Sequence, residues 1–416
     1  MQVAVIGAGV VGVSTAYFLA EAGHEVVVLE RRNNVAEEAS FGDAGILATD
    51  AVSPWIAPGM AKSLFSLLLR QDAPLHLHRA WNPSLWHWIR RWMRESDAER
   101  YRSNRARMHR VAAYSDEVIR QLRDRHQLDY EQTAGYLQVY RTERELQLAK
   151  PAFDFLQETG IRHDVLTMED VRLLEPALNS SARLAGGLYL PQAESGNCPL
   201  FTRQIRQLAQ TMGVEFHFGC NIEAIHSSYR GVLMQVGELN LSADAVVLAT
   251  GADSATLLAP FGMKLPVQSV RHYAATAAIR NYESVPLNAL MDESCKTSIA
   301  RLGNRIRIAG TAELGARTPA LRQNALNTLL KTAYDWFPDA CHYNAATFWS
   351  GNSLMLPDNV PLIGETPAKN VFLNIGHGSA GWAMAAGAGR LVADIVSGRS
   401  TDIDIDGLTM LRLQAA

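Results

Sequence analysis

Apolar and polar positions along this chain change period several times, and the changes mark its elements. An unbroken run of β-formers, Val3 to Ile6, ends in Gly7-Ala8-Gly9-Val10-Val11-Gly12. An apolar helical stretch, Val13 to Ala22, follows at once, then Gly23 and a second apolar strand, Glu25 to Leu29, closed by Glu30. Strand, glycines, helix, strand and acid in that order predict a βαβ unit that binds a dinucleotide. Gly7 permits the tight turn, Gly9 lets the backbone approach a pyrophosphate, and Gly12 lets helix and strand pack closely. The first helical amides, at Val10 and Val11, offer N–H groups and partial positive charge to the phosphates. Glu30, eighteen residues past Gly12, is placed to accept hydrogen bonds from a ribose diol. An acid there argues against a 2′-phosphate, and so against NADP.

Downstream, residues 60 to 125 read as helices, and Leu85 to Arg125 is rich in Arg and Trp. Gly135-Tyr-Leu-Gln-Val-Tyr140 then alternates as a half-buried strand does. Thr142 to Thr159 reads as helix, with Pro151 marking a kink or the start of a second helix. Gly186 to Pro191 is strand-like, and Phe201 to Met212 is an amphipathic helix before a strand, Val214 to Phe218. The apolar run Ala245 to Ala249 predicts a buried parallel strand, turning tightly at Thr250-Gly251-Ala252 where such sheets place ligands. Val267 to about Ala312 is strand-rich, and Arg305-Ile-Arg-Ile-Ala-Gly310 alternates charged with apolar, which suits an antiparallel sheet. After a helix, Leu321 to Trp336, come the strands Pro361 to Gly364 and Val371 to Ile375. Gly376-His-Gly-Ser-Ala-Gly-Trp382 and a small-residue helix, Ala383 to Ser397, follow.

Composition narrows the class. With 416 residues, 48% hydrophobic and 19% charged, the chain has material for two or three domains. A net charge of −3 gives no support to nucleic-acid binding. Cys198, Cys220, Cys295 and Cys341 lie far apart with no C-x-x-C, which predicts unpaired thiols and no metal site. No stretch reaches 18 apolar residues, and the N-terminus reads as a structural strand, so the expectation is a cytoplasmic enzyme.

Three glycines in Gly376 to Trp382, between a strand and an Ala/Gly helix, let backbone lie close to something flat or charged. With Gly7 to Gly12, Glu30 and Ala249-Thr-Gly251, this segment resembles the D-amino-acid oxidase and dehydrogenase superfamily of FAD-dependent amine oxidoreductases. The bacterial D-amino acid dehydrogenase (small subunit) branch is most similar. Ala39 to Gly45, Gly135 to Val139, Lys296 to Glu313 and Phe348 to Asp358 also resemble it.

The resemblance implies an α/β fold: a glutathione-reductase-like, Rossmann-type FAD-binding domain with an inserted α+β substrate domain containing an antiparallel sheet. Residues 1–75, 150–262 and 345–416 would form the first, and 76–149 and 263–344 the second. It implies FAD with its pyrophosphate on the first glycine loop and its ribose on Glu30. Arg31, Ser40, Gly45, Ile46 and Leu47 would contact the adenosine–phosphate portion and the near side of the flavin. Ile222 would reach the adenine, Thr250 and Gly251 would flank the cofactor, and Gly378, Ser379, Ala380, Gly381 and Trp382 would lie beside the isoalloxazine. Relatives with covalent flavin attach it through a cysteine near the C-terminus; none follows Cys341, so non-covalent FAD is expected.

The implied reaction is oxidative deamination: a hydride leaves the amine-bearing carbon for flavin N5, and water hydrolyses the imine. Tyr273 and His272 match a strand lining the family's site, and His377, Ser353 and Arg307 complete the candidate set. The branch usually carries Trp-x-Gly-Leu-Arg-Pro-Met-x-Pro-Asp, whose arginine clamps the substrate carboxylate. Here Ser353 holds that place, so either another cation (Arg271, Arg301, Arg305 or Arg307) takes over, or the substrate is not an ordinary α-amino acid. Trp86, Trp88 and Trp92 among Arg90, Arg91 and Arg94 give the segment 81–110 two readings: a packed helical subdomain, or a peripheral contact with the inner face of a bacterial membrane, where this branch delivers electrons to a quinone. Alternatives are an O₂-using oxidase of the same fold, an FAD-bearing subunit of a multi-subunit imino-acid or opine dehydrogenase, and a Rossmann protein without redox chemistry.

Overall fold

The computed structural model describes residues 1–59, 73–77, 82–316 and 321–413. The helical reading of 60–72 and Trp81 therefore lie outside the described residues. One sheet joins β18 (Leu362–Glu365), β19 (Val371–Ile375), β12 (Ala245–Leu248), β1 (Gln2–Ile6), β2 (Glu25–Glu30) and β8 (Glu215–Phe218), in that order. Its pairs are parallel except β18–β19. The parallel strands are apolar on both faces: β12 is buried at every residue, and β1 at all but Gln2. A three-stranded meander, β9 (Ala224–Ser228), β10 (Gly231–Val236) and β11 (Leu239–Ala243), flanks it.

The larger sheet orders β17 (Thr347–Met355), β13 (Gln268–Ala278), β16 (Arg305–Leu314), β15 (Thr297–Leu302), β14 (Ala289–Asp292), β5 (Thr133–Tyr140), β7 (Gly186–Ser195) and β3 (Ile46–Leu47). Two more strands join it, β4 (Leu75–Leu77) on β16 and β6 (Asp164–Thr167) on β7. Strand β4 corrects the all-helical reading of 60–125. Three residues pairing with Ala312 to Leu314 have no periodicity of their own.

Among the described residues the α-helices are α1 (Val10–Glu21), α2 (Pro83–Arg94), α3 (Ala98–His126), α4 (Glu143–Glu158), α5 (Met168–Leu174), α6 (Cys198–Thr211), α7 (Ser254–Leu258), α8 (Gln323–Trp336) and α9 (Gly381–Val396). Their starts are encoded locally: Asn82 caps α2 ahead of Pro83, and Thr142 with Glu145 forms a capping box on α4. Pro151 neither ends nor splits α4, which runs through it with the proline on the exposed side.

Helix α9 packs between α1 and α3 through its small residues. A Cβ on Gly389 would lie 2.9 Å from Ser14 backbone, and one on Gly387 2.7 Å from Ser115 N. Sheet pairing departs from the expected division of the chain. Residues 164–195 carry β6 and β7 of the larger sheet, whereas Met108 to Leu122 of α3 share a core with α1 and α9. The free cysteines are as expected from their spacing, and among the described residues no helix is long and apolar enough to cross a membrane.

Candidate active site

One cavity of about 800 Å³ runs between the two large sheets, lined from Glu30 and Ile222 at one end to Trp55, His272 and Lys296 at the other. At the first end Gly7 has φ +102°, and a Cβ there would lie 2.6 Å from Ala249 O. A Cβ on Gly12 would lie 1.9 Å from Gly7 O, so helix and turn touch at that point. A Cβ on Gly9 would meet only Ser40 Oγ, at 3.2 Å, and Gly9 otherwise faces open cavity. Ser40 Oγ accepts from Val10 N (3.0 Å) at the start of α1.

The Glu30 carboxylate accepts from Ala8 N (2.7 Å) and Arg32 N (2.8 Å), tying the glycine turn to the end of β2. Its oxygens keep lone pairs for a further donor. Arg31 is forked onto Glu38 and also meets Asp253 at 2.5 Å, joining the loop after β2 to the turn after β12. Thr250 and Gly251 line the same stretch of wall.

At the other end the turn into α9 supplies His377, Gly378, Ser379, Gly381 and Trp382. Trp55 Nε1 donates to Ser379 Oγ (2.9 Å), and its ring stands edge-on to His272. His272 Nε2 is 2.7 Å from Ser353 Oγ. Burial lowers the pKa of both His272 and His377 to about 4, so both rings are uncharged at neutral pH. Trp349 covers the flank, its ring lying where a Cβ on Gly42 (1.9 Å) or Gly351 (2.1 Å) would be. Beside it, burial raises Asp43 to about 6 against the pull of the Gly45 N–H and Arg307.

The family model for FAD dependent oxidoreductases matches residues 2–395. The chain belongs to this family. D-amino acid dehydrogenases of Neisseria meningitidis and Vibrio cholerae are similar to it at 39% and 36% identity, each over 100% of both chains. Among solved structures, glycine oxidase from Geobacillus kaustophilus is similar with a TM-score of 0.77 and 22% identity over 98% of both chains. L-proline dehydrogenase from P. horikoshii has a TM-score of 0.74 at 17% identity, covering 100% of this chain and 98% of its own. The family's flavin fits the residues present: an open cradle at Gly9, a helix start lining the cavity at Val10 and Val11, and a cavity long enough to reach a second helix start at α9.

Not every residue expected in an FAD oxidoreductase site stands on the cavity wall. Gly12, Gly45, Ile46, Leu47 and Ala380 lie behind it; Ile46 and Leu47 pair with Ser195 and Glu194, anchoring the loop to β7. Tyr273 touches the cavity, yet its ring belongs to the core containing Trp336 and its hydroxyl donates to Glu313 Oε2 (2.7 Å).

Arg307 departs most from its expected place. Its guanidinium is buried away from the cavity and donates to Phe41 O (2.8 Å) and Asp43 O (3.4 Å), so it supports the loop that forms the wall. Arg305, on the same strand, is part-exposed and meets Glu131 at 3.1 Å. Replacing Arg307 with Met is expected to lower stability by about 1–3 kcal/mol, since a charged donor leaves two inward carbonyls unmatched. Thermal melts of holoprotein check this, and an unchanged midpoint with unchanged flavin content would count against it. Sequence reasoning missed Trp55, Asp43, Trp349, Lys296 and Thr311 as cavity residues. Only Asp43 and Thr311 carried a local signal, each next to a cavity glycine, Gly42 and Gly310.

Proposed function

We propose that this chain is an FAD-dependent dehydrogenase that oxidatively deaminates a D-amino acid or a close amine or imino-acid analogue and passes the electrons to a quinone or another carrier. The observation that carries the reading is the single cavity joining the glycine turn of β1–α1 to the start of α9, in a chain similar along its whole length to D-amino acid dehydrogenases. FAD, when bound, supplies the acceptor for the hydride of the amine-bearing carbon. Gly7, Gly9, Val10 and Val11 hold its pyrophosphate with Gly12 packed behind them, Glu30 its ribose, Ile222 its adenine, and Arg31, Thr250 and Gly251 flank it. The turn Gly378 to Trp382 brings the positive end of α9 to the isoalloxazine, where negative charge grows on reduction. Trp55 and Trp349 exclude water, while uncharged His272 and His377 add no cation of their own beside the substrate amine.

Peripheral docking through 81–110 belongs to the same proposal. Trp88 and Trp92 of α2 stack in the core, leaving Trp86, His87, Arg90 and Arg94 as the exposed face that would meet an anionic surface.

Anaerobic mixing with a panel of D-amino acids, imino acids and uncharged amines is expected to bleach the flavin with members of the first two groups. Under air, dye or quinone reduction should far exceed peroxide formation. Stoichiometric peroxide would overturn the dehydrogenase assignment, and a colourless purified protein the flavin assignment.

A further inference from the structure

Two non-glycine residues on the cavity wall hold left-handed backbone, Lys296 at φ 47° and Thr311 at φ 48°. Strand pairing brings them together. On β13 and β16, His272 faces Ala312 while Tyr273 faces Gly310, so Thr311 is the extra residue of a bulge. On β15 and β16, Thr297 faces Gly310, which sets Lys296 and Thr311 side by side one step further on. Gly310 makes room for the approach, since a Cβ there would lie 2.6 Å from Lys296 O.

Thr311 is doubly unusual. A β-branched residue is strained in this conformation. In addition, its hydroxyl is buried without a hydrogen-bond partner, at 2% exposure of the residue. Strain and an unmatched polar atom at one cavity residue point to a ligand group.

Charge identifies the group. A substrate carboxylate needs a cation, and none of the four arginines expected to supply one lines the cavity. Arg271 bonds Tyr273, Arg301 donates to Gly303 O (3.2 Å), Arg305 meets Glu131, and Arg307 holds the 41–43 loop. Arg31 is bound to Glu38 and Asp253 at the far end of the cavity, and His272 and His377 are uncharged. Among the described residues this leaves Lys296 as the cation at the His272 end. Its side chain is half exposed, and Glu293 binds the ammonium and keeps it charged, engaging one of three N–H donors.

Resting on the function proposed above, we infer that Lys296 and Thr311 together hold the carboxylate of the substrate. The ligand class is then an amine bearing a carboxylate, gripped by a point charge and a hydroxyl in place of a guanidinium fork. Ser353 and His272, on β17 and β13, are left to face the rest of the substrate, Ser353 lying two strands across and three residues along from Thr311, or about 13 Å away at ordinary strand spacing.

The test is titration of holoprotein with propionate, which carries the carboxylate and cannot be deaminated, read as perturbation of the flavin spectrum. Lys296→Met is expected to raise the propionate Kd about tenfold or more, and Thr311→Val several-fold, with Lys296→Arg and Thr311→Ser close to wild type. In turnover the same losses should fall on KM more than on kcat. A Kd unchanged within about twofold in Lys296→Met of normal flavin content, or no spectral response of the wild type to propionate, overturns the inference. Absence of bleaching by every amino acid overturns the proposed reaction instead, while the propionate titration still decides the fate of Lys296.

Discussion

Replacing Gly12 with alanine is expected to abolish the yellow holoprotein. The new methyl carbon would lie 1.9 Å from Gly7 O and 3.3 Å from the Ala249 side chain. Neither neighbour can yield: Gly7 is fixed by its N–H to Leu29 O (2.9 Å), and Ala249 by its N–H to Ile6 O (2.9 Å). Overlap with backbone in a packed core costs about 3 kcal/mol or more, and here it also pushes α1 away from the turn that receives the pyrophosphate. Gly9→Ala provides the contrast. Its methyl would meet only Ser40 Oγ at 3.2 Å, so the fold should lose less than about 1 kcal/mol while flavin occupancy falls, because the methyl enters the cavity itself. The ratio of flavin to protein absorbance and the apoprotein melting midpoint separate the two variants. A Gly12→Ala protein that purifies yellow with a wild-type melt would show that the turn does not carry the cofactor.

Those glycines were legible because each physical demand falls on one residue of a short, ordered pattern. Strands β1, β2 and β12, and the Ala/Gly helix α9, were legible for a similar reason: burial on both faces leaves continuous apolar or small-residue runs. Arg305 and Arg307 show where such reading stops. Their spacing places them on one face of β16, but whether that face meets solvent or carbonyls depends on loop 41–43, with Phe41 lying 266 positions before Arg307. Strand β4 and the Thr311 bulge were hidden likewise, one having three residues and the other breaking the alternation that identifies strands. Tryptophans 88 and 92 left both a core and a membrane role open until their stacked packing placed them in the core. None of the four arginines named as candidates for the carboxylate lines the cavity, whereas Lys296 does, in a turn whose left-handed backbone has no sequence signature.

Stability should fall steeply as pH drops from about 6.5 towards 4, with His272 and His377 as principal causes. Burial lowers both folded-state values to about 4, below the ordinary 6.5 of the unfolded chain. In that window the unfolded state binds protons that the folded state refuses, so ΔG of unfolding rises with pH and is lost on acidification. Each histidine contributes about 3 kcal/mol once pH reaches its folded value, and about 2 kcal/mol by pH 5. Asp43 acts the other way. Its folded value, about 6, lies above its ordinary 3.8, so its destabilising effect at neutral pH is relieved through the same range. Two histidines against one carboxyl leave a net acid loss of about 3 kcal/mol. Subtracting the stability curve of His377→Asn from that of the wild type isolates one share: the curves should stay parallel above pH 7 and converge by about 2 kcal/mol at pH 5. Curves that remain parallel to pH 5 would mean that the ring is reached by water and protonates in the folded protein. The uncharged histidines on which the carboxylate assignment to Lys296 depends would then no longer hold.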